Sequence, residues 1–195
     1  DRPVAIKLLH GGLKNEGQLT RFRREAEALA RLNHPGIVAV HAFGEEEGCP
    51  YIVMDLVAGK TLEQLLEERE LPERYAVELV REVSRALHHA HEQGVIHRDL
   101  KPSNVMFGAE GPVVVDLGLA HDDQELSDLT KTGDLVGTIA YMAPEQLHGK
   151  GIDRRTDVYA LGVILYRLLS GHPPFEGPPL AVVAQIKTAE PERPP

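Results

Sequence analysis

The chain has 195 residues, 42% of them apolar and 26% charged, with a formal net charge of −9. That length and balance describe one globular unit with enough chain for a real core, and the negative charge argues against nucleic acid or an anionic membrane as the main partner. The single cysteine, Cys49, excludes an internal disulfide framework and suits a reducing compartment; no signal-peptide pattern, low-complexity tract or internal repeat is read in the chain.

Taken in chain order, Val4-Ala5-Ile6-Lys7 alternates β-favouring residues and ends on a cation, which predicts a strand. Leu19, Phe22, Ala26 and Leu29 follow at spacings of three, four and three, the pattern of a helix with one buried face, and Glu25 lies beside that face. Read alone, Lys7 and Glu25 are surface charges. Strands are expected around 37–43 and 50–54, then helices near 61–69 and 72–93. Ala76, Leu79, Val83, Leu87 and Ala90 make the apolar face of the second helix. His88, His89 and His91 near its end read as partly exposed helix histidines rather than a metal site.

The densest chemistry comes next. His97-Arg98-Asp99-Leu100-Lys101-Pro102-Ser103-Asn104, then Asp116-Leu117-Gly118, place an acid, a lysine, a carboxamide and a second acid within twenty residues. Such groups orient a hydroxyl, steady a γ-phosphate and offer Mg²⁺ hard oxygen ligands. Residues 121–136 are polar and without period, a connection that carries Thr130 and Thr132. Gly137-Thr138 and Ala143-Pro144-Glu145 follow it. A strongly apolar helix near 157–170 opens at Asp153, with Val158, Leu161, Ile164, Leu165 and Leu168 as its buried face, and stops at Gly171 before Pro173-Pro174. It is too short to cross a membrane, and Arg167 interrupts its apolar run. A last helix is expected near 178–187.

These strings together resemble the protein kinase family. The resemblance lies in an HRD-x-K-x-x-N loop, in DLG where DFG is the common form, in a lysine strand, and in Gly-Thr followed shortly by APE. Leu32-Asn33-His34-Pro35-Gly36-Ile37-Val38, Tyr51-Ile52-Val53-Met54-Asp55 and Gly94-Val95-Ile96-His97 are similar to the bacterial, eukaryotic-like Ser/Thr kinases, and Lys101 is the Ser/Thr signature. The resemblance implies an α+β, bilobal kinase-like fold, with residues 1–57 as the remnant of the small β-rich lobe and 58–195 as a mainly helical lobe lacking its last helices. It implies ATP and Mg²⁺ as cofactors. Lys7 would hold the α- and β-phosphates and pair with Glu25; Asp55 and Val57, with Leu56, would form the adenine hinge through backbone groups beyond a Met54 gatekeeper. Asn104 and Asp116 would hold the metal. Asp99 would orient the acceptor hydroxyl, Lys101 would sit against the transferring phosphoryl group, and Thr138 would contact both. Leu29, Val40, His97 and Leu117 would stack as a regulatory spine, and Asp157 would bond to the HRD backbone.

The implied function is transfer of the ATP γ-phosphoryl group to Ser/Thr hydroxyls of proteins. Autophosphorylation at Thr130 or Thr132 would control it, the phosphate docking on Arg98 with help from Arg21 and a pH-sensitive contribution from His121. A pseudokinase or ATP-binding scaffold is one alternative, disfavoured because Lys7, Glu25, Asp99, Asn104 and Asp116 are all present. A small-molecule phosphotransferase is another, disfavoured by the docking segment from Thr138 to Glu145. The partners are then a protein substrate and ATP, with self-association for trans-autophosphorylation, no nucleic acid and no membrane contact within these residues. The expected location is cytoplasmic, any membrane tether lying in other segments. No G-x-G-x-x-G is present, since Gly11-Gly12 and Gly17 lack the spacing, and the last helices of the family do not follow Pro195. A kinase-domain fragment truncated at both ends, weak or inactive by itself, is therefore expected, with Glu145 lacking the arginine those helices supply.

Overall fold

The computed structural model describes residues 2–8, 16–68, 71–118, 138–149 and 151–194. In the N-terminal part, β1 (Val4–Leu8), β2 (Val40–Glu46) and β3 (Cys49–Asp55) form an antiparallel sheet in the order β1-β3-β2, with Lys7 opposite Ile52 and Val4 opposite Asp55. Alternation along β3 buries Pro50, Ile52 and Met54. Helix α1 (Glu16–Ala30) sets Phe22 and Ala26 on that face, and with Val38 these residues make the small core. Phe22 meets Phe43 edge-on at 6.3 Å between ring centroids.

The remainder is mainly helical: α2 (Leu62–Glu68), α3 (Glu73–Glu92), the hairpin β4 (Val105–Gly108) and β5 (Gly111–Val114), α4 (Arg154–Ser170) and α5 (Pro179–Thr188). Ala76, Leu79, Val83, Leu87 and Ala90 of α3 are buried in one core with Ala160, Leu161, Ile164 and Leu168 of α4. This is an α+β fold with a small sheet lobe and a larger helical lobe. Between β3 and α2 the backbone at Gly59 lies so close to the Phe107 carbonyl oxygen of β4 that an added Cβ would clash with it, so glycine is required there. Among the described residues no helix is long and apolar enough to cross a membrane.

Three expectations shift. The strand expected at 37–43 begins at Val40, because the residues before it bond elsewhere. The Val38 N–H donates to Val114 O at 3.0 Å and the Val114 N–H to Gly36 O at 2.8 Å, tying this stretch to β5 in the other lobe. The helix expected near 157–170 extends back to Arg154, in line with its expected opening at Asp153, which caps it by accepting the Arg155 N–H at 2.8 Å. Val158, expected in its buried face, is 62% exposed; it stands one turn after Arg154 and one before Gly162, a stripe that faces outward. The β4–β5 hairpin was not anticipated, its strands being only four residues each.

Candidate active site

The hairpin and α3 present the loop 97–104 between them, and side chains from distant elements hold its backbone. Asp157, fully buried in the first turn of α4, accepts the His97 N–H and the Arg98 N–H, each at 2.9 Å, through its two oxygens. His91 Nε2 reaches the same carboxylate at 2.6 Å. The Arg98 carbonyl accepts from Gln146 Nε2 at 2.6 Å, and the Asp99 carbonyl from Asn104 Nδ2 at 2.8 Å. This clamp matters because Arg98 stands at φ +66°, a left-handed conformation costing a non-glycine residue about 1–3 kcal/mol, which persists only where the surroundings enforce it. Asp116 is left-handed as well, at φ +61°. His97 is buried, and burial pushes its pKa below the ordinary 6.5 despite the raising influence of Asp157 and Asp99. It therefore stays neutral, with Nε2–H donating to Val115 O at 3.1 Å and Nδ1 left to accept the Asp99 N–H at 3.3 Å.

On this frame the side chains named from the sequence converge. Lys101 Nζ lies 2.9 Å from Asp99 Oδ2 and 3.0 Å from Thr138 Oγ1, while Asn104 Nδ2 reaches Asp99 Oδ2 at 3.3 Å. Because the Asn104 amide nitrogen is turned to Asp99, its oxygen is the atom left for a metal. Lys7 and Glu25 do not follow the expected pairing. Lys7 Nζ sits 2.9 Å from Asp116 Oδ1, and Glu25 Oε1 lies 3.8 Å from Arg98 Nη1. The expected Lys7–Glu25 ion pair is thus replaced by two others, because Asp116 and Arg98 are the nearer opposite charges. Leu29 and Leu117 share the large core, with Val40 packed against it. The Asp55 N–H is held by Ala39 O at 2.9 Å, its carboxylate accepts from His41 Nε2 at 2.8 Å, and Val57 packs on the small core. His121, Thr130 and Thr132 lie outside the described residues.

The segment from Thr138 onward forms one wall of a cavity of about 700 Å³ that also touches Lys101 and Ser103. Across it, Arg167 grips Glu63 through two 2.8 Å hydrogen bonds and the Tyr141 hydroxyl through a third of 2.7 Å. Burial alone would lower the Arg167 pKa; the Glu63 and Tyr141 bonds outweigh it and raise it, so the guanidinium is charged throughout the accessible pH range. Glu145 accepts from Thr156 Oγ1 at 2.7 Å, which supplies it a partner that the sequence reading did not foresee.

Four participants, His91, Glu63, Arg167 and Gln146, have roles that the sequence pattern does not indicate. His91, expected to be a partly exposed helix histidine, has a side chain only 7% exposed; it follows Leu87 by four residues on the buried face, a spacing that marks it as buried. The Glu63–Arg167 pair joins residues 104 apart, and no local pattern encodes it. Gln146 stood unremarked beside Glu145. Among the described residues no cluster of three His, Cys, Asp or Glu side chains is arranged around a metal.

A loop clamped on a central helix, two lobes, an acid–lysine–carboxamide set and a second acid paired with a lysine of the sheet are the parts of a phosphotransfer architecture. The model of the protein kinase domain matches residues 1–190, and the chain belongs to that family. It is 42% identical over 198 residues to the serine/threonine-protein kinase PknB of Mycobacterium leprae, covering 97% of this chain and 32% of the relative. It is 44% identical over 180 residues to PknL of Mycobacterium tuberculosis, covering 91% of this chain and 45% of that protein. The crystal structure of the Mycobacterium tuberculosis PknI kinase domain superposes with a TM-score of 0.72 at 33% identity, over 89% of this chain and 65% of that one. The chain thus spans about one third of the length of the PknB relatives it matches.

Proposed function

We propose that the protein transfers the γ-phosphoryl group of ATP to Ser/Thr hydroxyls of proteins. The observation that carries this reading is a chain of contacts in which Asp99 meets Lys101 and Asn104, and Lys101 in turn meets Thr138, which bonds to Lys101 and not to Asp99. Asp99 takes or orients the acceptor's proton, and Lys101, already bridging Asp99 and Thr138, neutralises charge on the moving phosphoryl group. Asn104 and Asp116 fit Mg²⁺, a hard ion that takes one or two protein oxygens and completes its shell with phosphates and water. The metal would neutralise phosphate charge. Lys7, now on Asp116, is placed to exchange that carboxylate for nucleotide phosphate. Ala5, Val57, Val113 and Val115, packed on the small core, offer an apolar wall for the base, with the hinge backbone at 55–57 to orient it. The names of the relatives, serine/threonine-protein kinases, support this reading over a scaffold or a small-molecule phosphotransferase. Binding of Mg·ATP to the full-length protein tests the metal assignment. Asp116→Asn is expected to weaken Mg·ATP about tenfold or more while Mg-free nucleotide, relieved of the carboxylate that competes for Lys7, binds no more weakly than to the parent; parental Mg·ATP affinity in the variant would remove Asp116 as the ligand. Residues 1–195 alone, which carry no G-x-G-x-x-G, are proposed to transfer poorly.

Control by autophosphorylation at Thr130 or Thr132 belongs to the same proposal. Arg98 Nε is buried with no hydrogen-bond partner, and Arg98 lines a cavity of about 160 Å³ together with Arg24 and Glu25. A phosphate, bringing nearly two negative charges, would supply that guanidinium with acceptors. Phosphosite mapping followed by kinetics of the Thr130→Ala/Thr132→Ala double variant should show most of the activity gone, and His121→Arg should flatten its pH dependence. Full activity in the double alanine variant would eliminate the switch.

A further inference from the structure

Two side chains grip the Arg98 residue from opposite sides, and only one of them belongs to the central helix. Asp157 holds the N–H; the carbonyl is held by Gln146, which opens the short turn Gln146–His148 immediately after Ala143-Pro144-Glu145. The Gln146 carboxamide is used at both ends. Its Nε2 donates to Arg98 O at 2.6 Å, and its Oε1 accepts the Ala143 N–H at 2.9 Å. The opposite orientation would set oxygen against carbonyl and NH₂ against N–H, so the bonding pattern admits one orientation and one kind of group, an amide.

The segment 138–148 therefore touches the loop 97–104 at two places. Thr138 binds Lys101, and Gln146 binds the peptide between Arg98 and Asp99. That peptide group fixes where the Asp99 side chain begins, and its conformation is left-handed at Arg98, a setting that relaxes once an anchor is lost. We propose that Gln146 is a positioning residue: it makes the setting of Asp99 conditional on the seating of the segment that carries Thr138, so that acceptor docking and base alignment are one event. This rests on the reading of Asp99 as the group that orients the acceptor hydroxyl. The role demands a donor at Nε2. A glutamate supplies one only when protonated; ionised, it opposes the Arg98 carbonyl with like partial charge.

The experiment compares kcat and KM across pH in the full-length protein for the parent, Gln146→Glu and Gln146→Met, with Asp99→Asn as reference. Above neutral pH, Gln146→Glu is expected to lose about 10- to 100-fold in kcat with KM for ATP unchanged, the scale of a misplaced reacting group. As pH falls from about 8 towards about 5.5 the carboxyl gains its proton, and the ratio of variant to parental kcat should climb. Gln146→Met, of similar length but without a donor, should show a reduced and pH-flat ratio. Parental kcat in both variants would overturn the inference, as would a loss in Gln146→Glu that acid does not repair. If Gln146→Glu lacks a thermal unfolding transition, Gln146→Met decides: reduced kcat at constant KM supports the role, and parental kcat overturns it. A parent that phosphorylates no protein, or an Asp99→Asn variant with parental turnover, refutes the underlying reading instead and is told apart by those two controls.

Discussion

Asp99→Asn is expected to lower phosphoryl transfer by about 10²- to 10⁴-fold, the usual contribution of a positioned base, while nucleotide affinity is retained. The substitution keeps the side chain's size and removes its proton-accepting carboxylate. It also exchanges the Asp99–Lys101 ion pair of 2.9 Å for a neutral contact, so Lys101 is held less firmly toward Thr138. Asn104 keeps its place, because its 2.8 Å bond is to the Asp99 main-chain carbonyl, which the substitution does not touch. Since neither of the two residues proposed to hold the metal changes, Mg·ATP titration should be superimposable on that of the parent. Near-parental turnover would withdraw Asp99 from the chemistry, and loss of nucleotide binding would make it part of the binding site.

The largest effect on stability is expected at Asp157, where Asp157→Ala should cost about 3–5 kcal/mol, as removal of one partner from a buried charged network commonly does. The carboxylate is fully buried and accepts from the His97 and Arg98 main-chain N–H groups and from His91 Nε2. Alanine would leave all three without an acceptor inside the protein. It would also remove a negative charge from the first turn of α4, where the helix dipole favours one. At roughly 2–4 °C per kcal/mol for a domain of this size, calorimetry should record a fall in Tm of about 6–20 °C. Asp157→Asn should cost less, since its amide oxygen still accepts one of the main-chain bonds. An unchanged Tm in Asp157→Ala would mean that the loop is held by other contacts.

Much of this was legible from the sequence because the chemistry is local. The loop 97–104 and Asp116 announce themselves by residue type and order, and the apolar faces of α1 and α3 follow from helical period. What escaped depends on partners far apart in the chain. Val38 leaves its expected strand for Val114, Arg167 crosses to Glu63, and Gln146 reaches back to Arg98; pattern reading has no access to any of these. The exchange of Lys7 from Glu25 to Asp116 is of another kind. Lys7, Glu25, Arg98 and Asp116 admit more than one pairing, and the folded arrangement of their elements, not their order in the sequence, selects Lys7–Asp116 and Arg98–Glu25.

The most direct measurement gives full-length protein γ-labelled ATP, Mg²⁺ and a mixed pool of acceptors, a generic protein together with small hydroxyl compounds, and locates the label by mass spectrometry. Label on serine and threonine side chains of the protein, absent when Asp99→Asn replaces the parent, is the result expected of this site. Label confined to the small hydroxyl compounds, or nucleotide bound with no label transferred to any acceptor, would contradict it.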